Sequence, residues 1–289
     1  MSPRRRTCLA AAVLAALAGA VTRAEEAPGD LRYPPLPGDT YADQLCLRWW
    51  GGLARPDLYA ARVAIHDENN ALRSDFWEGG IAEGALTTGV AAGVEAGYGI
   101  APAVRLLAAL TVSGVSAQGT FDGLGPKTVL DPATGLQRQH VDRLTRFTEM
   151  GQEAGATLLV RDFGWCRFGL TGRLGIHELT GALERGRESG PFGSHWWNRQ
   201  LTGIAPSIAG GLEWEWLVAP QALPFPLTGF VHLGWRWLDF TGVSFAYTDD
   251  TGAVLTGTWA NGDGTHRALD FSGPEIRLGL QVAWSTAPS

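Results

Sequence analysis

From Glu275 to Trp284 every second residue is apolar or aromatic. Ile276, Leu278, Leu280, Val282 and Trp284 fall on one face of an extended strand, and Glu275, Arg277, Gly279, Gln281 and Ala283 on the other. A strand in a soluble sandwich alternates in the same way, with its apolar face turned to the core. Three further features turn the pattern inside out: the alternation recurs along most of the chain, an export signal precedes it, and the charges on the polar faces nearly cancel. Together they predict a closed barrel, apolar toward lipid and charged toward its axis.

Residues 1–24 read as a signal peptide: Arg4, Arg5 and Arg6, an apolar run from Cys8 to Val21, and small residues that permit cleavage after Ala20 or after Ala24. The run is short of the ~20 residues a spanning helix needs. Its removal after Ala24 takes four arginines and no acid, leaving 19 basic groups against 29 acidic ones and a net charge of −10. That balance argues against a nucleic-acid partner. No apolar run of about 18 residues or more occurs in the mature chain, so a barrel is the remaining way to cross a bilayer.

The expected organisation is a Pro-rich periplasmic tail over 25–44 (Tyr33-Pro34-Pro35-Leu36-Pro37-Gly38), a barrel over 45–285 and a short C-terminal tail over 286–289. The fold class is all-β, a transmembrane antiparallel up-and-down β-barrel of about eight strands. Alternating segments run over Leu45–Ala54, Leu86–Ile100, Val104–Gly119, Arg146–Asp162, Cys166–Thr180, Leu201–Val218, Leu227–Ser244 and Glu275–Trp284. A hairpin within Arg55–Ala82, where Tyr59, Ala61, Val63 and Ile65 alternate, would raise the number to ten. The connections at 100–102, 163–165 and 219–226 are short, whereas those over 55–85, 120–145, 181–200 and 245–268 are long and rich in Gly and polar side chains. Short turns in the periplasm and long loops outside is the outer-membrane arrangement.

Parity then sorts the side chains. The lumen receives Arg48, Glu95, Arg105, Glu149, Glu153, Arg161, Arg167, Arg173, His177, Glu213, Glu215, His232, Arg236, Glu275 and Arg277. In a barrel of about eight strands the bore is just wide enough for side chains to fill, so these groups must pair across it. The lipid face, including Leu86 on the second segment, carries an aromatic girdle of Trp49, Tyr98, Phe168, Trp214, Trp216, Trp235, Trp237 and Trp284, because amphipathic rings favour bilayer interfaces.

Catalytic, cofactor and metal sites do not emerge from the pattern. Ser194-His195 falls in a loop with no acid set beside it. His177 and His232 read as buried, hydrogen-bonded histidines. Asp249, Asp250 and Asp263 lack the alternating ligand spacing of a calcium loop. The chain therefore reads as a non-enzymatic barrel whose lumen is largely filled, contributing to envelope structure or to surface interaction through its loops. A narrow passive pore is the alternative, and an outer-membrane hydrolase a third reading that lacks a nucleophile and base at the outer rim.

Leu45-Cys46-Leu47-Arg48-Trp49-Trp50 in the first strand, Gly172-Arg173-Leu174 in the fifth and Glu275–Trp284 in the last resemble the small outer-membrane β-barrels, OmpA-like in size, and more loosely the pore-forming major outer-membrane proteins. The resemblance implies the Gram-negative outer membrane, its lipid and the barrel-insertion machinery as partners. In that group the machinery reads a terminal aromatic residue, whereas here Trp284 is followed by Ser285-Thr286-Ala287-Pro288-Ser289. The two cysteines of the mature chain, Cys46 and Cys166, begin strands on opposite sides of an eight-stranded ring, Cys46 pointing inward and Cys166 outward, and are expected as free thiols.

Overall fold

The computed structural model describes residues 41–74, 77–81, 83–124, 138–190, 193–219, 227–260 and 267–285. The signal peptide, most of the Pro-rich tail, Asp263 and the C-terminal tail lie outside this set.

Eight strands close a ring: β1 (Gln44–Ala54), β3 (Gly89–Ala101), β4 (Val104–Leu124), β5 (Arg138–Asp162), β6 (Cys166–Gly190), β7 (Gly193–Ala219), β8 (Leu227–Phe240) and β12 (Gly273–Ser285). Each pairs antiparallel with the next, β7 with β8, β8 with β12, and β12 back onto β1. Closure leaves the ring no edge strand, so the backbone meets its hydrogen-bonding needs without water. The short turns sit at one end. In the β5–β6 turn Gly164 takes φ +80°, where a side chain would be strained, and its N–H bonds to the Asp162 carboxylate at 2.7 Å.

The outside of the ring is apolar. Leu110, Leu174, Ile208, Leu170 and Leu280 are all 43% exposed or more, while their neighbours in sequence, Thr111, Arg173, Ser207, Thr171 and Gln281, are buried inside. A wall that turns its apolar face out and its charged face in is stable only against hydrocarbon. The chain is a transmembrane β-barrel.

Three features depart from the pattern-based expectation. First, the spans 120–145 and 181–200 are not free loops over their described parts. β5 and β6 have 25 residues each and β7 has 27, against the ~9–11 that cross a bilayer. They continue as a tall wall beyond the membrane, joined by β9 (Ser244–Asp249) and β10 (Val254–Thr258), which add to β7, and by β2 (Trp77–Ile81), which adds to β4. Correspondingly β8 ends at Phe240, short of Ser244, where the two-residue β11 (Leu269–Asp270) pairs with it. Second, the hairpin expected within Arg55–Ala82 is a helix, α1 (Tyr59–Ser74), followed by β2. The buried residues Leu58, Ala61, Ile65 and Asn69 are spaced by three, four and four, a helical stripe that also passes for alternation over 59–65. Asp57 precedes the first turn, at the electropositive end of the helix, and pairs with Arg62 at 2.8 Å. Third, Leu86 does not face lipid. It lies in a 3-10 turn over Glu83–Thr87 ahead of β3 and is completely buried inside.

Leu86 and the α1 stripe join an apolar cluster with Val115, Ala117, Phe147, Leu179, Leu183, Leu201, Ala205, Leu238, Phe240, Val243, Trp259, Leu269 and Phe271. The wall residues among them point inward from β4 to β8, so the loop-end half of the lumen is a packed apolar plug. Phe271 meets Phe240 and Phe147 edge-on, at centroid distances of 5.6 and 6.4 Å.

The membrane boundary on β4 follows from this geometry. Leu110→Arg puts a charge among outward apolar neighbours and should cost about 2 kcal/mol or more of folding free energy in lipid. Gln118→Arg, on the same face eight residues toward the loop end, should stay within about 0.5 kcal/mol. Urea titration of the protein folded into vesicles measures both, and equal costs would place the boundary elsewhere.

Candidate functional site

The short-turn half of the lumen holds the charged residues. Six arginines and six glutamates are buried in the described residues: Arg48, Arg105, Arg167, Arg173, Arg236 and Arg277 with Glu95, Glu149, Glu153, Glu213, Glu215 and Glu275. No lysine is among them; the chain contains just one, Lys127, which lies outside the described residues. The planar guanidinium, with five donors, can bind several carboxylates at once where an ammonium presents a single point of charge.

Arg48 is the hub and has no exposed surface. Its Nη1 donates to Glu95 (3.0 Å) and Glu213 (3.0 Å), its Nη2 to Glu213 (2.9 Å) and to Glu215, and its Nε to Gln281 (2.6 Å). The guanidinium also lies 4.6 Å from the centre of the Phe230 ring. Arg105, two strands away on β4, shares Glu213 (2.9 Å) and Glu215. Arg173 links this cluster to the next, reaching Glu95 at 2.7 Å and Glu153 at 3.4 Å. Arg277 then binds Glu153 (3.1 Å) and Glu275 (3.0 Å) over the Trp50 ring. His232 sits 3.5 Å from Glu275. At the top of the network Arg236 holds both oxygens of Glu149 (3.0 and 3.1 Å), which also accepts from Ser113 and contacts His177.

Glycine makes the packing possible at two positions of β3. A Cβ at Gly93 would fall 2.5 Å from the Trp50 ring, and one at Gly97 would fall 2.6 Å from Cys46 Sγ and 3.0 Å from Arg105 Cδ. At the short-turn mouth Tyr41, assigned to the tail by composition, is buried instead. Its ring lies 4.3 Å from the Arg105 guanidinium and 5.5 Å from that of Arg167, and its hydroxyl donates to Glu215 at 3.4 Å.

Of the fifteen residues assigned to the lumen by parity, Arg161 requires correction: it is exposed. The register slips between Leu159 and Arg161, a bulge that sets Arg161 opposite the outward Phe168, and its guanidinium lies 5.7 Å from the Phe163 ring. Arg167, at the same rim, turns in and pairs with Asp162 at 3.0 Å. The aromatic residues separate by height. Tyr98, Phe168, Trp214, Trp216 and Trp284 lie toward the short-turn end, with Phe168 and Trp214 in contact at 4.8 Å, and Trp235 and Trp237 toward the other. Trp49 is outward but midway, opposite Val94 and Leu280.

Ser194 and His195 belong to β7 rather than to a loop. Asp249 engages its carboxylate on its own turn, accepting from Thr251 and Ala253, and the Thr251 hydroxyl draws its pKa below the ordinary range. Cys46 and Cys166 are unpaired, on strands four steps apart either way round the ring. Parity misses one contact altogether: Ser207 on β7 bonds His177 at 2.7 Å. Its signal is present in sequence, since Glu149, His177 and Ser207 are all inward positions, but their common height is not.

No family model matches this sequence, and no curated protein matches it. Solved structures show similar folds. A major outer membrane protein from Thermus thermophilus aligns over 83% of this chain and 99% of its own, at 11% identity and a TM-score of 0.45. OprG from Pseudomonas aeruginosa aligns over 85% and 97%, at 10% identity and a TM-score of 0.39. The outer membrane protease OmpT from Escherichia coli aligns over 84% and 97%, at 9% identity and a TM-score of 0.32.

The hub sets the stability of the network. Arg48→Met leaves the buried carboxylates of Glu95, Glu213 and Glu215 short of a cation and should cost about 3–5 kcal/mol. Arg161→Met, at the exposed bulge, should change stability by less than about 0.5 kcal/mol. Unfolding from vesicles in urea separates the two, and a small effect at Arg48 would mean that the network is hydrated.

Proposed function

We propose that this chain is an outer-membrane barrel whose lumen is closed, serving the envelope as a structural and surface element through its tall loop-end wall. In this closed form it is neither a pore nor an enzyme. The supporting observation is that two unlike seals lie in series along the axis. The ion network fills the short-turn half, and the apolar plug built on α1 fills the other. A charged solute meets an apolar barrier, and an apolar one meets a paired charge layer.

On this reading the short turns and Tyr41 face the periplasm, and the wall of β4–β7 with β9 and β10 faces outward. The signal peptide delivers the chain, outer-membrane lipid surrounds it, and the insertion machinery engages β12 through Trp284.

Planar-bilayer recording tests the closed lumen. The wild-type protein should be silent, and Arg173→Ala with Glu213→Ala should remain nearly so, because the plug still seals. Replacing residues 58–74 by a short Gly-Ser linker in that double variant should produce steady conductance. A large, steady current from the wild-type protein would make the chain a pore.

A further inference from the structure

Glu149, His177 and Ser207 project inward from three adjacent strands, β5, β6 and β7, and form one hydrogen-bonded chain. The Glu149 carboxylate contacts Nδ1 of His177, and Nε2 of the same ring lies 2.7 Å from Ser207 Oγ. Glu149 contacts Nδ1 directly whereas the Glu153 carboxylate stands 3.8 Å from Nε2, so the proton is held on Nδ1 and Nε2 presents its lone pair to the serine hydroxyl. That is the order acid, base, nucleophile in which a serine is activated. Ser113 donates to the second oxygen of Glu149, and Arg236 binds both, so the acid is held from two further sides.

The backbone is cleared for this arrangement. Gly151 lies opposite His177 in the ladder and Gly175 opposite Ser207. A Cβ at Gly151 would sit 2.2 Å from the imidazole, and one at Gly175 would sit 2.8 Å from both Nε2 and Oγ. Any side chain at position 175 would therefore strike the serine–histidine pair itself. Next to the ring, Thr111 Oγ1 is buried and has no hydrogen-bond partner. Its hydroxyl can donate to the oxygen of a bound carbonyl, a role that the backbone N–H groups of the wall, engaged in the ladder, do not fill.

The chain of three lies at the junction of the two lumen halves. Phe147, Leu179 and Ala205 are the next inward residues toward the loop end on β5, β6 and β7, and Leu238 stands opposite Ser207. All four belong to the apolar plug. A molecule reaching Ser207 from the loop end must carry hydrocarbon through that space and present its electrophile at the bottom.

We propose that Ser207, His177 and Glu149 form a serine-hydrolase triad for carboxylic esters of hydrocarbon acyl chains, closed off in the resting barrel by the α1 plug. Ser207 Oγ attacks the ester carbonyl carbon and its proton passes to His177 Nε2. The ester C–O bond breaks, and the alcohol leaves with that proton. Water then gives a proton to His177 and its oxygen to the acyl carbon, Ser207 recovers its proton, and the carboxylic acid is released. No oxidant or reductant is needed. The proposal goes beyond the closed-lumen reading, which conductance tests separately.

The test uses the full-length protein folded in detergent, an alkyl fluorophosphonate as probe and peptide mapping by mass spectrometry, with turnover of p-nitrophenyl acyl esters as a second readout. Circular dichroism confirms that each variant retains its strands. Leu58→Asp with Ile65→Asp should loosen the plug and speed phosphonylation of Ser207 severalfold over wild type. Leu58→Ala with Ile65→Ala is the milder form, should the first not fold. In either background His177→Gln should slow labelling by about 10²-fold or more, and Ser207→Ala should abolish both adduct and turnover. A folded, plug-loosened protein that takes no adduct on Ser207 overturns the proposal, as does labelling that is indifferent to His177.

Discussion

The structure depends on charge neutrality inside a narrow lumen where six arginines and six glutamates are buried among the described residues. An isolated guanidinium or carboxylate in such a lumen would cost several kcal/mol even after relaxation, and attraction between neighbours offsets this only where every charge finds a partner. Arg48 shows how the condition is met. It is completely buried, yet its donors reach Glu95, Glu213, Glu215 and Gln281, groups supplied by three other strands. Because those partners come from β3, β7 and β12, the network can form only once the ring has closed. Barrel closure and charge pairing are therefore one event, and the ions tie together strands far apart in sequence.

Above the ions the same wall changes character. Strands β4 to β7 turn Val115, Phe147, Leu179 and Leu201 inward where, lower down, they turn Arg105, Glu153, Arg173 and Glu213 inward. The change coincides with the rise of these strands beyond the bilayer, where the outside of the wall meets water and the inside can be an ordinary apolar core. This half behaves like a small soluble domain built on a membrane barrel, with α1 as the element that completes its packing. The junction of the two halves is where Glu149, His177 and Ser207 meet, with ions on one side and apolar side chains on the other.

Much of the barrel was legible from residue order because the bilayer imposes a simple code. With lipid outside and paired charges inside, Leu174 and Arg173, or Leu280 and Gln281, can sit only one way round, and a one-residue slip would reverse every face. Arg161 escaped the code because a bulge adds a residue to one strand, and nothing in Leu158–Asp162 marks it. Leu86 and the α1 stripe escaped because an apolar residue beyond the membrane can as well point into a plug as into lipid. The alternation of Tyr59, Ala61, Val63 and Ile65 satisfies a period of two over seven residues, and only the longer set Leu58, Ala61, Ile65 and Asn69 reveals the helix.

What the sequence by itself determined is the parity of the membrane strands, and with it the transmembrane barrel and the charged side of its lumen, Arg161 excepted. Parity is local: it follows from the two-residue repeat of an extended backbone and needs no knowledge of neighbours. Tertiary structure decided what depends on relative height and on contacts across the axis. It selected which glutamates Arg48 binds, brought Ser207 to 2.7 Å from His177, folded α1 into the mouth and drew Tyr41 into the opposite end. Those outcomes are set by strand register and by the fit of side chains from distant segments into one confined space, neither of which is written in any single stretch of the chain.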